Sequence, residues 1–464
     1  MQLDLTQLSA VELAASIATR ELSSTEVVTA HLDRIDDLNG RVNAIVSRRD
    51  RAAVLADAAT ADRTVARGPL HGLPVAVKDL ADVAGLPTRS GSLVTSNEPA
   101  SADGHVAAQL RAAGAIIIGK TNTPEFGTGS HTFNDVFGIT RNPWNLNKTA
   151  GGSSGGAAAA LAARMLPIAD GTDLGGSLRN PAAMCNVVGL RPSIGRVAAP
   201  QQTSTHLRLG VAGPMGRTVA DTALVLSALA GPDPHDPRAR PELGSVFRAI
   251  TPASNPRVAW GGDLGILKCD SDVLRICEAA ARTVVGVGGT VESASPDLGD
   301  GERIFRVLRG LSYRNLGDDY DGELQAQMKA TVRENIAFGR SLEIEDLLEA
   351  ETMKADLHRL MSDFFDDFDV LALPTVQVPA FDVEIEYPTD IDGEPLDDYL
   401  DWMMACCVIT STECPAISIP AGFTDDGLPV GLQLVARAGH DRELLEVAAA
   451  LEAANPFHHL APAL

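Results

Sequence analysis

The stretch KTAGGSSGGAAAALAARMLPIADGTDLGGSLRNP, Lys148–Pro181, decides how this chain is read. It holds two glycine-flanked serines, Ser153 in GGSSGG and Ser177 in DLGGS. Glycine clusters place serine hydroxyls on sharp, uncrowded turns, because only glycine takes positive φ or very close approach at little steric cost. An Ala-rich run that reads as a helix lies between them, then a short apolar run ending in acid and glycine. Two such turns so close together point to a site built from loops at the ends of a strand and a helix.

On the N-terminal side, the chain to about residue 61 reads as helices. Leu8, Val11, Leu13 and Ile17 mark one amphipathic face, and Val27, Val28, Leu32 and Ile35 another. Ser23 and Glu26 have the spacing of a capping box. The segment PLHGLPVAVK (69–78) then changes period: Val75–Val77 suits a buried strand with Lys78 at its end. Residues 105–113 read as a helix and 115–119 as a strand. The polar loop that follows, to residue 150, is too long to be mere connection.

On the C-terminal side, residues 219–229 read as a helix and the Pro- and Asp-rich segment 231–243 as an exposed loop. Strands are expected near 257–261 and 289–291 around a helix at 272–284. Mostly helical, acidic sequence runs from 302 to 368. Strands at 370–373, 416–419 and 430–435 and a helix at 442–453 close the chain. Length alone suggests two or three domains. With no internal repeat and no flexible linker, a single α/β domain with one large sheet is favoured.

The formal net charge of −23 disfavours nucleic acid and anionic membranes as partners, since both need basic surface. No apolar run has the length of a membrane span. The first residues lack a basic, then apolar, export signal, which points to a cytoplasmic protein. The six cysteines show no C-x-x-C spacing and read as reduced core residues. Histidine forms no metal motif. No metal and no cofactor is implied.

Three side chains are candidates for chemistry, each with a structural alternative. Lys78 follows a run expected to be buried; it either reaches solvent from the strand end or is desolvated until its neutral amine can act as a base. Ser153 precedes the Ala-rich helix and is either its N-cap or free for chemistry, since Ser154 fills the cap equally well. Ser177 is either a polar turn residue or a nucleophile beside consecutive backbone N–H groups that face an oxyanion.

The combination of PVAVKD (74–79), GGSSGG (151–156) and GTDLGGSLRNPAA (171–183) resembles the amidase signature family, and nearly the whole chain shares in the likeness. Among the further segments are KTNTPEFG (120–127), GITRNPWN (138–145), VVGLRPSIGRV (187–197) and PVGLQLVAR (429–437). The resemblance implies one domain over residues 1–464, with a central mixed β-sheet covered by helices on both sides. Within it lie a helical segment (1–62), a signature core (63–230), a variable, largely helical region (231–370) and closing strands and helix (371–464). It implies an amidase acting through a Ser-Ser-Lys triad: Ser177 as nucleophile, Ser153 as bridging residue after a cis peptide bond from Gly152, and Lys78 as base. It places an oxyanion hole on the N–H groups of Leu174, Gly175, Gly176 and Ser177. Ser154, Asp173 and Arg179 fall where the family orients its triad. Phe126 and Gly127, in the 120–150 loop, are the candidate substrate contacts. Phe305, Tyr313, Tyr320, Trp402 and Met403 offer apolar pocket walls from the variable region.

The partner implied is a small-molecule amide, with a homodimer left open. Three other readings compete. One is the amidase subunit of a tRNA-dependent amidotransferase, although the segment after Gly195-Arg196 resembles stand-alone amidases. The others are a non-catalytic binding protein of the same fold and a nucleotide-binding α/β protein, the latter lacking the Walker lysine spacing.

Overall fold

The computed structural model describes residues 4–200 and 206–464. Residues 201–205, part of the segment after Arg196 weighed above, and the first three residues lie outside it. The N-terminal helices are α1 (Ala10–Thr19), α2 (Ser24–Val42) and α3 (Arg51–Arg63). The expected capping box of Ser23 and Glu26 opens α2, and Ser9 with Glu12 forms another before α1. In α1 Ala10 and Leu13 are buried and Leu8 and Ile17 pack against the same cluster, whereas Val11 is exposed, because positions 11 and 13 of one helix cannot share a face.

The strand that carries Lys78 is not part of the large sheet. β1 (Ile45–Val46), β2 (Pro74–Lys78) and β3 (Ile116–Thr121) form a separate three-stranded sheet in the order β1-β3-β2. β2 runs parallel and β1 antiparallel to β3. The large central sheet expected from the sequence is present, and this small sheet stands beside it; its two-residue β1 carries no periodic signal of its own. A ribbon of β4 (Arg141–Asn142) and β5 (Asn145–Thr149) gives order to the long polar loop.

The large sheet contains β6 (Ile168–Asp173), β7 (Val188–Arg191), β8 (Val211–Gly216), β9 (Arg257–Trp260), β10 (Thr290–Ser293) and β11 (Val370–Pro374). After a short ribbon of β12 (Asp390–Ile391) with β13 (Glu394–Pro395), it is completed by β14 (Ala416–Phe423) and β15 (Pro429–Val435). The order is β10-β9-β11-β15-β14-β7-β8-β6, parallel at β10-β9-β11 and antiparallel elsewhere.

Side-chain alternation sorts the two faces of this sheet. Val370 and Ala372 enter the apolar cluster that holds residues of α7 (Val219–Leu229) and α8 (Ser271–Arg282). Leu371 and Leu373 enter the cluster with α9 (Gly301–Asp318), which precedes the short α10 (Gly322–Gln325) and α11 (Ala330–Ser341). Both faces are therefore covered, and every residue of β11 is buried. The loop at 231–243 is exposed or half-buried at every position but one. Asp236 is buried and pairs with Arg208 at 2.8 Å.

Candidate active site

Lys78 is fully buried at the end of β2, which excludes the solvent-reaching alternative. Its backbone N–H donates to Asp170 Oδ1 at 3.1 Å, tying the small sheet to β6. Its Nζ lies 2.7 Å from Ser153 Oγ, 2.9 Å from Ser154 Oγ and 2.9 Å from Thr172 Oγ1. Burial drives the amine down to about 7, against the opposing pull of the Asp170 and Asp173 carboxylates. Burial also pushes Asp170 up to about 6. A neutral amine has two N–H donors and one lone pair. Three surrounding hydroxyls fit it when two accept and one donates.

The peptide bond from Gly152 to Ser153 is cis, as the resemblance implies. The next helix, α5 (Gly155–Ala162), is buried along its whole length. Ser154 occupies its N-cap position but makes no side-chain cap bond, so the capping alternative does not describe what its hydroxyl does. Thr132 Oγ1 accepts the Gly155 N–H instead, at 3.2 Å.

Ser177 lies in the turn between β6 and α6 (Arg179–Cys185). Its carbonyl accepts the Ser154 N–H at 3.2 Å, which ties the two glycine-serine turns together. Gly176 holds φ at 110°, a conformation that side chains disfavour. A Cβ at Gly175 would sit 2.7 Å from the ring of Phe305. The second glycine thus shapes the turn and the first lets the cavity wall close on the backbone.

The expected set of oxyanion donors needs one correction. The Gly176 N–H donates to Asp173 Oδ1 at 2.9 Å and the Leu178 N–H to Oδ2 at 3.2 Å, so Gly176 is already engaged. Among the described residues no acceptor takes the N–H groups of Leu174, Gly175 and Ser177. An Asp173 carboxylate reaching back across the turn competes for one of the four groups.

Asp173 is fixed in its turn. Arg179 forks onto it, with Nε to Oδ2 and Nη2 to Oδ1 both at 2.9 Å, and Arg191 Nη1 donates to its carbonyl at 2.7 Å. All three residues are buried. Burial alone would raise the carboxyl pKa, but the Arg179 and Arg191 charges overcome it and hold Asp173 well below the carboxylate range. Asp173→Asn leaves two buried guanidinium groups without their anion, so a loss of about 3–5 kcal/mol of stability is expected. Chemical denaturation of the two proteins checks it; an unchanged midpoint contradicts the account.

Ser153, Thr172, Leu174, Gly175 and Ser177 line one cavity of about 520 Å³. Phe126 and Gly127 line it too, as do Phe305, Tyr313 and Met403. Tyr320 and Trp402 are not in its wall. The Tyr320 ring packs behind Phe126 at 5.6 Å between centroids, and Trp402 lies edge-on to Phe381 at 5.1 Å. Sequence reasoning missed Thr172, which completes the hydroxyl shell of Lys78, and Arg191, which stands inside a quoted segment with nothing to mark it as buried. It also missed Arg309 in the cavity wall.

Among the described residues no helix is long and apolar enough to cross a membrane. Residues 26–445 match the sequence profile of the family described as Amidase. The chain is 37% identical to an acylamidase of Rhodococcus erythropolis, over 98% of this chain and 97% of that one. It is 35% identical to a glutamyl-tRNA(Gln) amidotransferase subunit of Nocardia farcinica, over 97% of this chain and 99% of the relative. A solved bacterial aryl acylamidase of the amidase signature family superposes with a TM-score of 0.88 at 28% identity, covering 97% of both chains. A 6-aminohexanoate cyclic dimer hydrolase complexed with substrate gives 0.87 at 27% identity, with 99% of both covered. The profile match, the near-complete coverage by curated relatives and the shared fold show that this chain belongs to the amidase signature family and is a hydrolase of amide C–N bonds.

Proposed function

We propose that the chain cleaves a small aryl or aliphatic carboxylic amide through an acyl-enzyme on Ser177, with Ser153 relaying protons to Lys78. The observation that carries this reading is the buried Lys78 amine, 2.7 Å from Ser153 Oγ and beside the cavity that Ser153 and Ser177 share. A base is most effective when its pKa lies near the working pH, and burial supplies that here.

The neutral amine takes the proton of Ser153, and Ser153 takes that of Ser177. The Ser177 Oγ then adds to the amide carbonyl. The N–H groups of Leu174, Gly175 and Ser177 stabilise the tetrahedral oxyanion. On collapse the C–N bond breaks, the proton passes back to the leaving nitrogen, and the acyl group stays on Ser177. Water then gives a proton through Ser153 to Lys78 and adds to the acyl carbonyl; on collapse the bond to Ser177 Oγ breaks, the proton returns to that oxygen and the acid is released. Asp173 and Arg179 hold the turn that presents Ser177, and Ser154 steadies the amine. Phe126, Phe305 and Met403 give the cavity an apolar wall suited to the acyl or aryl part of the substrate.

Because an amidotransferase relative is similar at nearly the same identity as the acylamidase, the assay includes glutamine. The purified chain alone is expected to release product from anilides and aliphatic amides with kcat/KM roughly tenfold or more above that for glutamine, on the scale of pocket complementarity. Turnover of glutamine alone, or only after a partner protein is added, overturns the proposal in favour of the amidotransferase reading.

A further inference from the structure

The cavity wall includes a cation that amide cleavage leaves unused. Arg309 lies on α9, four residues after Phe305 and four before Tyr313, so helical spacing brings all three to the cavity. Only 4% of its surface is exposed. The guanidinium sits 4.4 Å from the centre of the Tyr313 ring and 5.5 Å from that of Tyr399. Its Nη2 donates to the Tyr313 hydroxyl at 3.1 Å and its Nη1 to Asn335 Oδ1. These partners are neutral, and a guanidinium carries five N–H donors.

The contrast with its neighbours is what makes Arg309 informative. On the same helix Arg303 pairs with Asp346 and Glu349, and Arg306 with Glu302, Asp398 and Asp401. In a chain with a net charge of −23, no carboxylate among the described residues pairs with Arg309. The nearby Lys329, by contrast, has an acid partner in Glu386 at 3.4 Å and donates to the Thr128 carbonyl at 3.1 Å. A buried charge is costly without an anion. A planar guanidinium fork matches a carboxylate better than it matches tyrosine faces.

We propose that Arg309 is a specificity-determining residue that receives a carboxylate carried by the substrate, so that amides bearing an acid group are preferred over their uncharged counterparts. The proposal rests on the reading of Ser177 as the nucleophile of this cavity. The charged fork holds the anionic end, and the apolar wall of Phe126, Leu316 and Met403 accommodates the chain between.

The test compares matched probes in the full chain. Mono-p-nitroanilides of succinic, glutaric and adipic acid are set against p-nitroanilides of the straight-chain monoacids of equal length. On the amine side, 4-acetamidobenzoate is set against acetanilide. The wild type is expected to favour one acid series by roughly 10- to 100-fold in kcat/KM, as a charged hydrogen-bonded pair allows, with the difference lying in KM. Arg309→Gln is expected to lose that ratio and Arg309→Lys to keep part of it. No preference in the wild type on either side, or a preference that survives Arg309→Gln, overturns the proposal.

A binding measurement that needs no turnover decides the matter if a variant does not fold. By calorimetry the wild type is expected to bind glutarate roughly tenfold or more tightly than glutaramide, and equal binding overturns the proposal. Labelling by a fluorophosphonate keeps the two readings apart. A labelled Ser177 with no acid preference sinks only the role of Arg309. An unlabelled Ser177 with a glutarate preference sinks only the catalytic reading.

Discussion

Ser177→Ala is expected to lower kcat/KM for the best amide by on the order of 10⁴-fold or more, to the level left by binding and oxyanion contacts alone. The reason is chemical rather than structural. Ser177 is only partly exposed at the cavity, and its carbonyl, not its hydroxyl, accepts the Ser154 N–H that joins the two turns. Removing Oγ therefore deletes the proposed attacking atom while leaving the backbone bond in place. The melting temperature should stay close to that of the wild type. Steady-state assays on the purified variant, paired with a thermal melt, check both halves. Retained turnover in a folded variant removes Ser177 from the mechanism.

Lys78→Met is expected to cost at least about 10³-fold in kcat/KM and to erase the acid limb of the pH profile. In the wild type that limb should rise through about pH 7, because the protonated amine cannot accept a proton and burial sets its ionisation there. Stability changes with pH in the same direction as activity. The folded pKa of about 7 lies below the ordinary 10.5, so between these values the unfolded chain binds a proton that the folded chain does not. Wild-type stability therefore gains from this group as pH rises across that window. Methionine fills a similar volume without a charge to desolvate, so the variant should be at least as stable near pH 7 and lack that contribution. Denaturation at pH 7 and pH 10 measures it. A variant that is both unfolded and inactive would show that Lys78 is structural.

Much of the site was legible because it depends on local sequence. Two glycine-serine turns and a lysine at a strand end are short patterns, and the resemblance assigned them to one triad. What sequence withheld were the long-range contacts. That Lys78 meets three hydroxyls follows from Ser153, Ser154 and Thr172 converging from two turns 18 residues or more apart in chain order, including the end of β6. The resemblance places Gly176 among the oxyanion donors, whereas its N–H is taken by Asp173, three residues earlier. Arg309 was hidden in an acidic helical region where every arginine looks like a surface partner. Only the fold shows that Arg303 and Arg306 have acids and Arg309 has tyrosines. The fold class was readable from alternating strand and helix signals. The detached three-stranded sheet was not, since its first strand is two residues long.

The central claim is that Ser177 is the nucleophile and that Ser153 only passes its proton to Lys78. Peptide mass mapping after reaction with a fluorophosphonate tests this most directly. The account predicts a single adduct on Ser177 in the wild type, slower labelling below about pH 7 as Lys78 gains its proton, and no adduct in Ser177→Ala. An adduct on Ser153, or labelling that persists in Ser177→Ala, would contradict it.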